Sequence, residues 1–213
     1  MKTGLSLITR TDGYKPSHWL MKPLGQTYDF CYFECRGGPF ATTIPVGLQY
    51  YLLEYFTEPI TASDIAVAKS DFAEYYQNVT IFNERGWCDI LVKHEGYLPL
   101  SIKSVPEGLP VPPGNVLMTV ENTDPAFPWL PSYVESVLSK VWYPTTVATL
   151  SYEIKQIIKK YLRTTGTEAL LPFKLHDFGY RGVSSEESAM IGGMAHLLNF
   201  NCSDTFTAIT FIR

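Results

Sequence analysis

The stretch from Lys174 to Ser185 holds the densest group of side chains that could do chemistry. It places charged residues, aromatic rings and glycines at a predicted junction between a strand and a helix. Backbone N–H groups at a helix N-terminus attract phosphate, and Arg181 could add a bidentate cationic contact. Phe178 would lie at the end of the strand, where its ring can stack on a flat ligand. A tight turn whose arginine pairs with a carboxylate is the alternative interpretation.

The acidic and aromatic residues outside this stretch are less distinctive. Asp12 and Tyr14 precede a turn that begins with proline, a pattern typical of a loop or a helix cap. Asp204 stands directly before Thr205, where an aspartate is an ordinary N-cap for a following helix. These side chains are also candidates for ligand binding, and the pattern alone leaves both interpretations open.

The four histidines form no catalytic pair by spacing. His176 and Asp177 are neighbours in a predicted strand, where adjacent side chains point to opposite faces, so they are not expected to hydrogen-bond to one another. His196 lies in an apolar helical stretch, which predicts a packing role. Structural or surface positions are also expected for His18 and His94.

Composition limits the class of protein. The chain has 213 residues, of which 46% are hydrophobic and 18% are charged, and this predicts a globular fold with a sizeable core. A formal net charge of −4 argues against a nucleic-acid partner, which would need a basic surface. No apolar stretch is long enough for a membrane span, and no signal peptide is expected at the first residues.

The cysteines indicate neither zinc nor a disulfide framework. Cys31, Cys35, Cys88 and Cys202 form no CxxC pair and have no histidine at metal-ligand spacing. Reduced thiols of a cytoplasmic protein are therefore expected, and no metal-ligating residue is predicted.

Apolar spacing and turn residues predict mixed secondary structure. An aromatic-rich strand is expected over 28–35, and short strands with tight turns are expected over 101–123. Helical spacing indicates four helices in the first three quarters of the chain. They are expected over 47–56, after an N-cap at Thr61 with Asp64, over 130–142 and over 146–163.

The last part of the chain has a predicted strand, helix and strand in that order, which indicates an α/β fold. Residues 174–178 and 199–203 are the expected strands. Ser184 and Glu187 have the spacing of a capping box for the helix between them. The Gly192–Gly193 pair inside this helix would allow close packing against a neighbour.

Several segments resemble, over essentially the whole chain, the motifs of the nicotinamide phosphoribosyltransferase family. The resemblance is highly specific because the motifs are long and ordered. The segments are Thr11–Lys15, Tyr32–Arg36, Val105–Gly108, Gly114–Leu117, Val120–Pro125, Trp142–Thr149, Lys174–Ser185, Ala195–Phe200 and Ser203–Thr205.

This resemblance implies a type II phosphoribosyltransferase fold. A mixed α+β domain would occupy residues 1–145, and residues 146–213 would begin an irregular β/α barrel that is incomplete in this chain. The implied reaction joins nicotinamide to phosphoribosyl pyrophosphate and gives nicotinamide mononucleotide and pyrophosphate, a step of NAD salvage. Magnesium (Mg2+) would accompany phosphoribosyl pyrophosphate, and ATP is a further nucleotide that the resemblance implies.

The resemblance also implies roles for individual residues in an active site shared across a homodimer. Phe178 would stack on one face of the nicotinamide ring, and Tyr14 of the partner subunit would stack on the other. Arg181 and Asp204 would lie near the nicotinamide and ribose, with Asp204 accepting a hydrogen bond from the carboxamide. Arg36 and Asp12 of the partner subunit would lie near the phosphates.

Two departures from the family's pattern shape the alternatives. Cys202 stands where the family has a glycine, which would disturb the turn if its φ is positive. A closed β/α barrel needs eight strands, and residues 146–213 can supply only about the first two. The chain is therefore expected to need a separate C-terminal half, or to be a non-catalytic remnant. Nicotinate phosphoribosyltransferase is the alternative enzyme, although its acidic substrate would meet Asp204.

Overall fold

The computed structural model of the chain describes residues 5–212. The chain forms two compact units, each assembled from separate segments. The first unit comprises Met1–Phe33, Gln49–Ser104 and Met118–Lys140. The second unit comprises Glu34–Leu48, Val105–Leu117 and Val141–Arg213.

Three strands form one open sheet. They are β1 (Phe30–Glu34), β2 (Leu100–Ser104) and β3 (Val116–Asn122), in the order β1-β3-β2. β2 and β3 run antiparallel with Ile102 opposite Val120. These strands confirm the expectations for 28–35 and 101–123, since aromatic and β-branched side chains suit a pleated, half-buried surface.

The first unit also contains helices. They are α1 (Leu48–Tyr55), α2 (Ala62–Tyr76), α3 (Glu84–His94), α4 (Leu130–Tyr133) and α5 (Glu135–Leu138). The predicted cap of α2 is confirmed: the Asp64 N–H donates to Thr61 Oγ1 (3.2 Å), and the Thr61 N–H donates to Asp64 Oδ2 (2.8 Å). This reciprocal pair satisfies two backbone donors that a helix start otherwise leaves unpaired.

Trp87 is at the centre of the first unit's core. Its side chain is fully buried, and its ring meets those of Trp129 and Tyr133 edge-on at centroid distances of 4.9 and 5.0 Å. Edge-to-face contacts of this kind add to the free energy gained by removing the rings from water.

The second unit is built on three helices, α6 (Trp142–Thr165), α7 (Glu186–Leu197) and α8 (Phe206–Phe211). α7 packs against both of the others. A Cβ on Gly192 would lie 2.6 Å from Tyr143 Oη of α6, and one on Gly193 would lie 2.4 Å from Ala208 Cβ of α8. The predicted close packing at the glycine pair is therefore confirmed.

The mixture of helices and an open sheet confirms the predicted α/β class, but two predicted strands are wrong. Residues 174–178 and 199–203 form loops. The described residues place no partner strand beside them, and a strand is stable only when a neighbour accepts and donates its backbone hydrogen bonds.

Two helix boundaries also differ from those expected. The predicted helix over 130–142 is α4, α5 and a 3₁₀ turn, and α6 begins at Trp142 rather than at 146. Pro144 is tolerated there because the N–H groups of a helix's first turn have no partner within the helix. The N-cap of α7 is Ser185, whose Oγ accepts from the Ser188 N–H (3.1 Å), so the predicted Ser184–Glu187 capping box is wrong.

Among the described residues, no helix is both long and apolar enough to cross a membrane.

Candidate functional site

Two largely irregular segments of the second unit, residues 172–178 and 201–205, lie side by side and are joined by backbone hydrogen bonds; the first begins with the last two residues of a 3₁₀ helix, Glu168–Phe173. We call them the loop pair. The Asn201 N–H donates to Pro172 O (2.8 Å), and the Asp204 N–H donates to Asp177 O (2.9 Å). At the same level Ser203 Oγ donates to Asp177 Oδ2 (3.4 Å). These hydrogen bonds fix the distance between the two segments of the loop pair, although neither segment is part of a sheet.

The loop pair brings His176 and Asp204 into contact. His176 Nδ1 lies 2.8 Å from Asp204 Oδ2, and both side chains are nearly half exposed. The expectation that Asp204 caps a helix is wrong, because the N-cap of α8 is Thr205, while the Asp204 side chain bonds to His176. Sequence reasoning missed His176, since its partner is 28 positions away along the chain.

Phe178 and Arg181 extend the same surface. The Phe178 side chain is 68% exposed, and its ring lies 6.5 Å from the His176 ring at an interplanar angle of 27°. Arg181 lies on a short 3₁₀ turn, Gly179–Gly182, that Asp177 holds by accepting from the Gly179 N–H (3.0 Å). Within residues 5–212 Arg181 has no ion-pair or hydrogen-bond partner, so the alternative of a paired structural arginine is not observed there.

The N-terminus of α7 offers less to a phosphate than the sequence suggested. Ser185 already accepts a hydrogen bond from its first turn, which also carries Glu186 and Glu187. These two carboxylates neutralise the positive end of the helix dipole and would repel a phosphate. An anionic ligand at this surface would therefore depend on Arg181 rather than on the helix.

The remaining predicted site residues lie outside the loop pair. Asp12 and Tyr14 belong to the first unit, and Arg36 is an exposed residue of the second. The Asp12 N–H donates to Ser136 Oγ (3.0 Å), and the Tyr14 ring, largely exposed, packs on His18.

Lys15 anchors the segment that carries Asp12 and Tyr14. Its side chain is buried and forms an ion pair with Glu135. Sequence reasoning assigned Lys15 no role of its own. Its position beside the candidate residues Asp12 and Tyr14 could have indicated that it holds their segment in place.

His196 of α7 connects the two segments of the loop pair by hydrogen bonds. It is buried, and its Nε2 lies 3.3 Å from Leu175 O and 3.2 Å from Cys202 O, one carbonyl on each loop. Its Nδ1 lies 2.9 Å from Ser151 Oγ of α6. Two carbonyls can only accept, so Nε2 carries the proton and Nδ1 accepts from the serine hydroxyl. The predicted packing role is confirmed, with hydrogen bonds to both loops in addition.

Comparison with known proteins agrees with these observations. Residues 6–102 match the family model described as nicotinamide phosphoribosyltransferase, N-terminal domain, and residues 173–212 match that of the nicotinate phosphoribosyltransferase family. The chain is 49% identical over 210 residues to a nicotinamide phosphoribosyltransferase of Xanthomonas campestris, which covers 98% of this chain. The chain belongs to the nicotinamide phosphoribosyltransferase family.

It corresponds to one part of the family's members. The match covers 44% of the Xanthomonas protein and 45% of a nicotinamide phosphoribosyltransferase of Acinetobacter baylyi, which is 30% identical over 99% of this chain. The chain therefore spans just under half the length of these curated relatives. A crystal structure of human nicotinic acid phosphoribosyltransferase has the same fold, with a TM-score of 0.57 and 19% identity over 94% of this chain and 37% of that one.

Cys202 replaces the family glycine without backbone strain. The described residues with positive φ other than glycine are Gln77 and Glu95, so Cys202 does not adopt the left-handed conformation that favours glycine. Its Sγ donates to Leu175 O (3.5 Å), which adds a contact across the loop pair. The substitution is therefore compatible with the turn before Asp204.

Stability should depend on pH through His196. Burial lowers the pKa of His196 below its ordinary value of about 6.5, because the interior disfavours the charged form. The unfolded chain then takes up a proton before the folded chain does. The stabilisation is complete above about pH 6.5 and is lost as the pH falls towards the lowered pKa, by at most about 1.4 kcal/mol per pH unit.

Urea unfolding of the chain and of its His196→Leu variant, followed from pH 7.5 down to pH 5, would measure this term. The difference in free energy of unfolding between the two chains should shrink as the pH falls. A difference that stays constant over this range would contradict the prediction.

Proposed function

We propose that this chain provides the nicotinamide-binding part of a nicotinamide phosphoribosyltransferase. The reaction would combine nicotinamide with phosphoribosyl pyrophosphate and release nicotinamide mononucleotide and pyrophosphate, as in NAD salvage. Family membership supports this proposal, and one observation of the structure carries it. The loop pair presents an exposed ring, Phe178, beside an exposed carboxylate, Asp204, which suits a flat aromatic amide.

The chemistry of these side chains fits the reaction. The Phe178 ring would stack on the pyridine ring, and Asp204 would accept a hydrogen bond from the carboxamide N–H. Both contacts orient the ring nitrogen for attack on the ribose carbon. The bond from that carbon to pyrophosphate breaks as the bond to nitrogen forms. The Arg181 guanidinium would stabilise the negative charge that develops on the leaving pyrophosphate.

Partners complete the proposed enzyme. The chain spans under half the length of its curated relatives, so the activity is proposed for it together with a C-terminal half. A homodimer would bring Asp12 and Tyr14 of the partner subunit to the phosphates and to the second face of the ring. Arg36 of the partner subunit is proposed as a further phosphate contact.

Magnesium is proposed to arrive bound to phosphoribosyl pyrophosphate. The described residues gather no group of three side chains that could hold a metal ion, so no residue of this chain is assigned to it. ATP is proposed as a coupled nucleotide from family membership, again without an assigned residue. We propose a cytoplasmic location, where reduced thiols such as Cys31 and Cys88 are expected.

A nicotinate phosphoribosyltransferase is the second candidate. The match of residues 173–212 to that family favours it. The carboxylate of Asp204 disfavours it, because the carboxylate of nicotinate would meet a like charge there. Comparing nicotinate with nicotinamide as substrates would decide between the two.

The deciding experiment measures formation of nicotinamide mononucleotide by the 213-residue chain, alone and with a separately expressed C-terminal half. Nicotinamide, phosphoribosyl pyrophosphate, magnesium and ATP are supplied in both cases. Product from the mixture alone would establish an enzyme that needs two polypeptides. Product from the chain alone would remove the need for a second half, and no product in either case would favour a non-catalytic remnant.

Replacing Phe178 or Arg181 by alanine should lower turnover by the mixture by about ten- to a hundredfold. The estimate corresponds to losing the burial of an aromatic face or one charge-assisted contact. Phe173→Ala is the matched control, since Phe173 is 55% exposed and belongs to the same segment of the loop pair as Phe178. Turnover by Phe178→Ala equal to that of the control would remove Phe178 from the site.

A further inference from the structure

We propose that His176 is a positioning residue that orients Asp204, so that a single carboxylate oxygen, Oδ1, faces the carboxamide of the ligand. This inference rests on the proposed function. It assigns the binding of nicotinamide to a histidine–aspartate pair rather than to the aspartate alone.

The hydrogen bond itself defines the orientation. His176 Nδ1 lies 2.8 Å from Asp204 Oδ2, and a carboxylate can only accept, so the Nδ1–H donates. Among residues 5–212, Asp204 Oδ1 has no hydrogen-bond partner. The bond to His176 restricts rotation of the carboxylate and leaves one acceptor for a ligand.

A second histidine–aspartate pair in the first unit shows what a purely structural pair looks like. His94 Nε2 lies 2.8 Å from Asp124 Oδ2, the same distance as in the first pair. There, however, Asp124 Oδ1 accepts from the Ala126 N–H (2.8 Å), so both oxygens are used within the protein. The pair is also less exposed, at 30% and 24% for the two side chains against 44% and 46% for His176 and Asp204.

The surroundings of His176 point to the same ligand. The ring lies nearly parallel to Phe178 at a centroid distance of 6.5 Å, within the range of offset aromatic pairs. His176 therefore contacts both groups proposed to bind nicotinamide, the stacking ring and the acceptor. A ligand that stacks on Phe178 and donates an N–H to Asp204 would meet side chains already held in place.

Hydrogen bonds from neighbouring residues support the histidine–aspartate pair. His196 holds the carbonyl of Leu175, the residue before His176, and that of Cys202 on the second loop. The Asp204 N–H donates to Asp177 O (2.9 Å). A hydrogen bond between two half-exposed side chains contributes little to stability, so this support is better explained by a need for fixed geometry.

The test compares two substitutions of His176 by calorimetric titration of the 213-residue chain, with its C-terminal half, against nicotinamide. His176→Asn keeps a donor at the position of Nδ1, and His176→Leu removes it. We expect His176→Leu to weaken nicotinamide binding by about tenfold and His176→Asn to restore it to within about threefold of the unchanged chain. His94→Leu is the matched control and should leave the affinity unchanged.

A nitrogen NMR spectrum of the imidazole rings provides a readout that does not depend on binding. The proton of neutral His176 should reside on Nδ1, and Asp204→Ala, which removes the acceptor, should abolish this preference. Unchanged affinity in His176→Leu, or equal loss in both His176 variants, would overturn the inference while leaving the proposed function standing. No nicotinamide binding by the unchanged chain and no product from the mixture would overturn the proposed function and this inference with it.

Discussion

Replacing Trp87 by alanine should lower the free energy of unfolding by about 3–5 kcal/mol, the range found when a large aromatic side chain is removed from a packed core. The Trp87 side chain is fully buried. Its removal leaves a cavity between Trp129 and Tyr133, two rings attached to one short helical segment that cannot close the gap without moving. The two rings would also lose their edge-on contacts with the indole.

Urea unfolding followed by circular dichroism would measure the loss. Trp142→Ala is the control: Trp142 is 59% exposed, and its removal should change the free energy of unfolding by less than about 1 kcal/mol. Trp87→Phe should fall between the two, because Trp87 Nε1 has no hydrogen-bond partner among the described residues and little is lost with that N–H. Equal losses in Trp87→Ala and Trp142→Ala would show that the core closes around the cavity.

Replacing His196 by leucine is the second large effect that we expect, a loss of about 3 kcal/mol concentrated in the loop pair. Leucine fills much of the volume but donates no hydrogen bond. The carbonyls of Leu175 and Cys202 and the hydroxyl of Ser151 would then lose their shared partner. Each buried polar group left without a partner costs about 1–3 kcal/mol, less where water can reach it.

The effect should be local as well as global. The Asp204 N–H donates across the loop pair. In His196→Leu its hydrogen-exchange rate should rise more than the exchange rates of the α6 amides. Ser151→Ala is the graded control, since it removes the hydroxyl at Nδ1 and leaves both Nε2 contacts, and about 1 kcal/mol is expected. If the two variants lost equal stability, the Nε2 contacts would have no role in bracing the loops.

These two variants separate core stability from site geometry. Trp87 belongs to the first unit, whereas His196 belongs to the second unit and contacts both segments of the loop pair directly. Nicotinamide affinity should therefore fall in His196→Leu at temperatures where the chain remains folded. Such a fall would link the packing of α7 to the orientation of His176 and Asp204.

The sequence was informative wherever a local pattern decides the structure. The aromatic run gave β1, and the Thr61–Asp64 spacing gave the start of α2, since strand pleating and helix capping involve residues only two to three positions apart. The ordered motifs identified the family, and with it Phe178, Arg181 and Asp204 as site candidates. The division at 145/146, the shared dimer site and the roles of Asp12, Tyr14 and Arg36 stay predictions.

Only the tertiary structure decided how the candidate site is held. The sequence predicts a strand over 174–178, yet the carbonyls of Leu175 and Asp177 accept from His196 and from the Asp204 N–H instead of from a neighbouring strand. Asp204 had the local position of a helix cap, and its side chain pairs with His176. Hydrogen bonds between residues 20 or more positions apart depend on which segments the packing of α6, α7 and α8 brings together. Hydrophobic periodicity along the sequence indicates which face of a helix or strand is buried. It does not indicate which distant hydrogen-bond donor pairs with which acceptor.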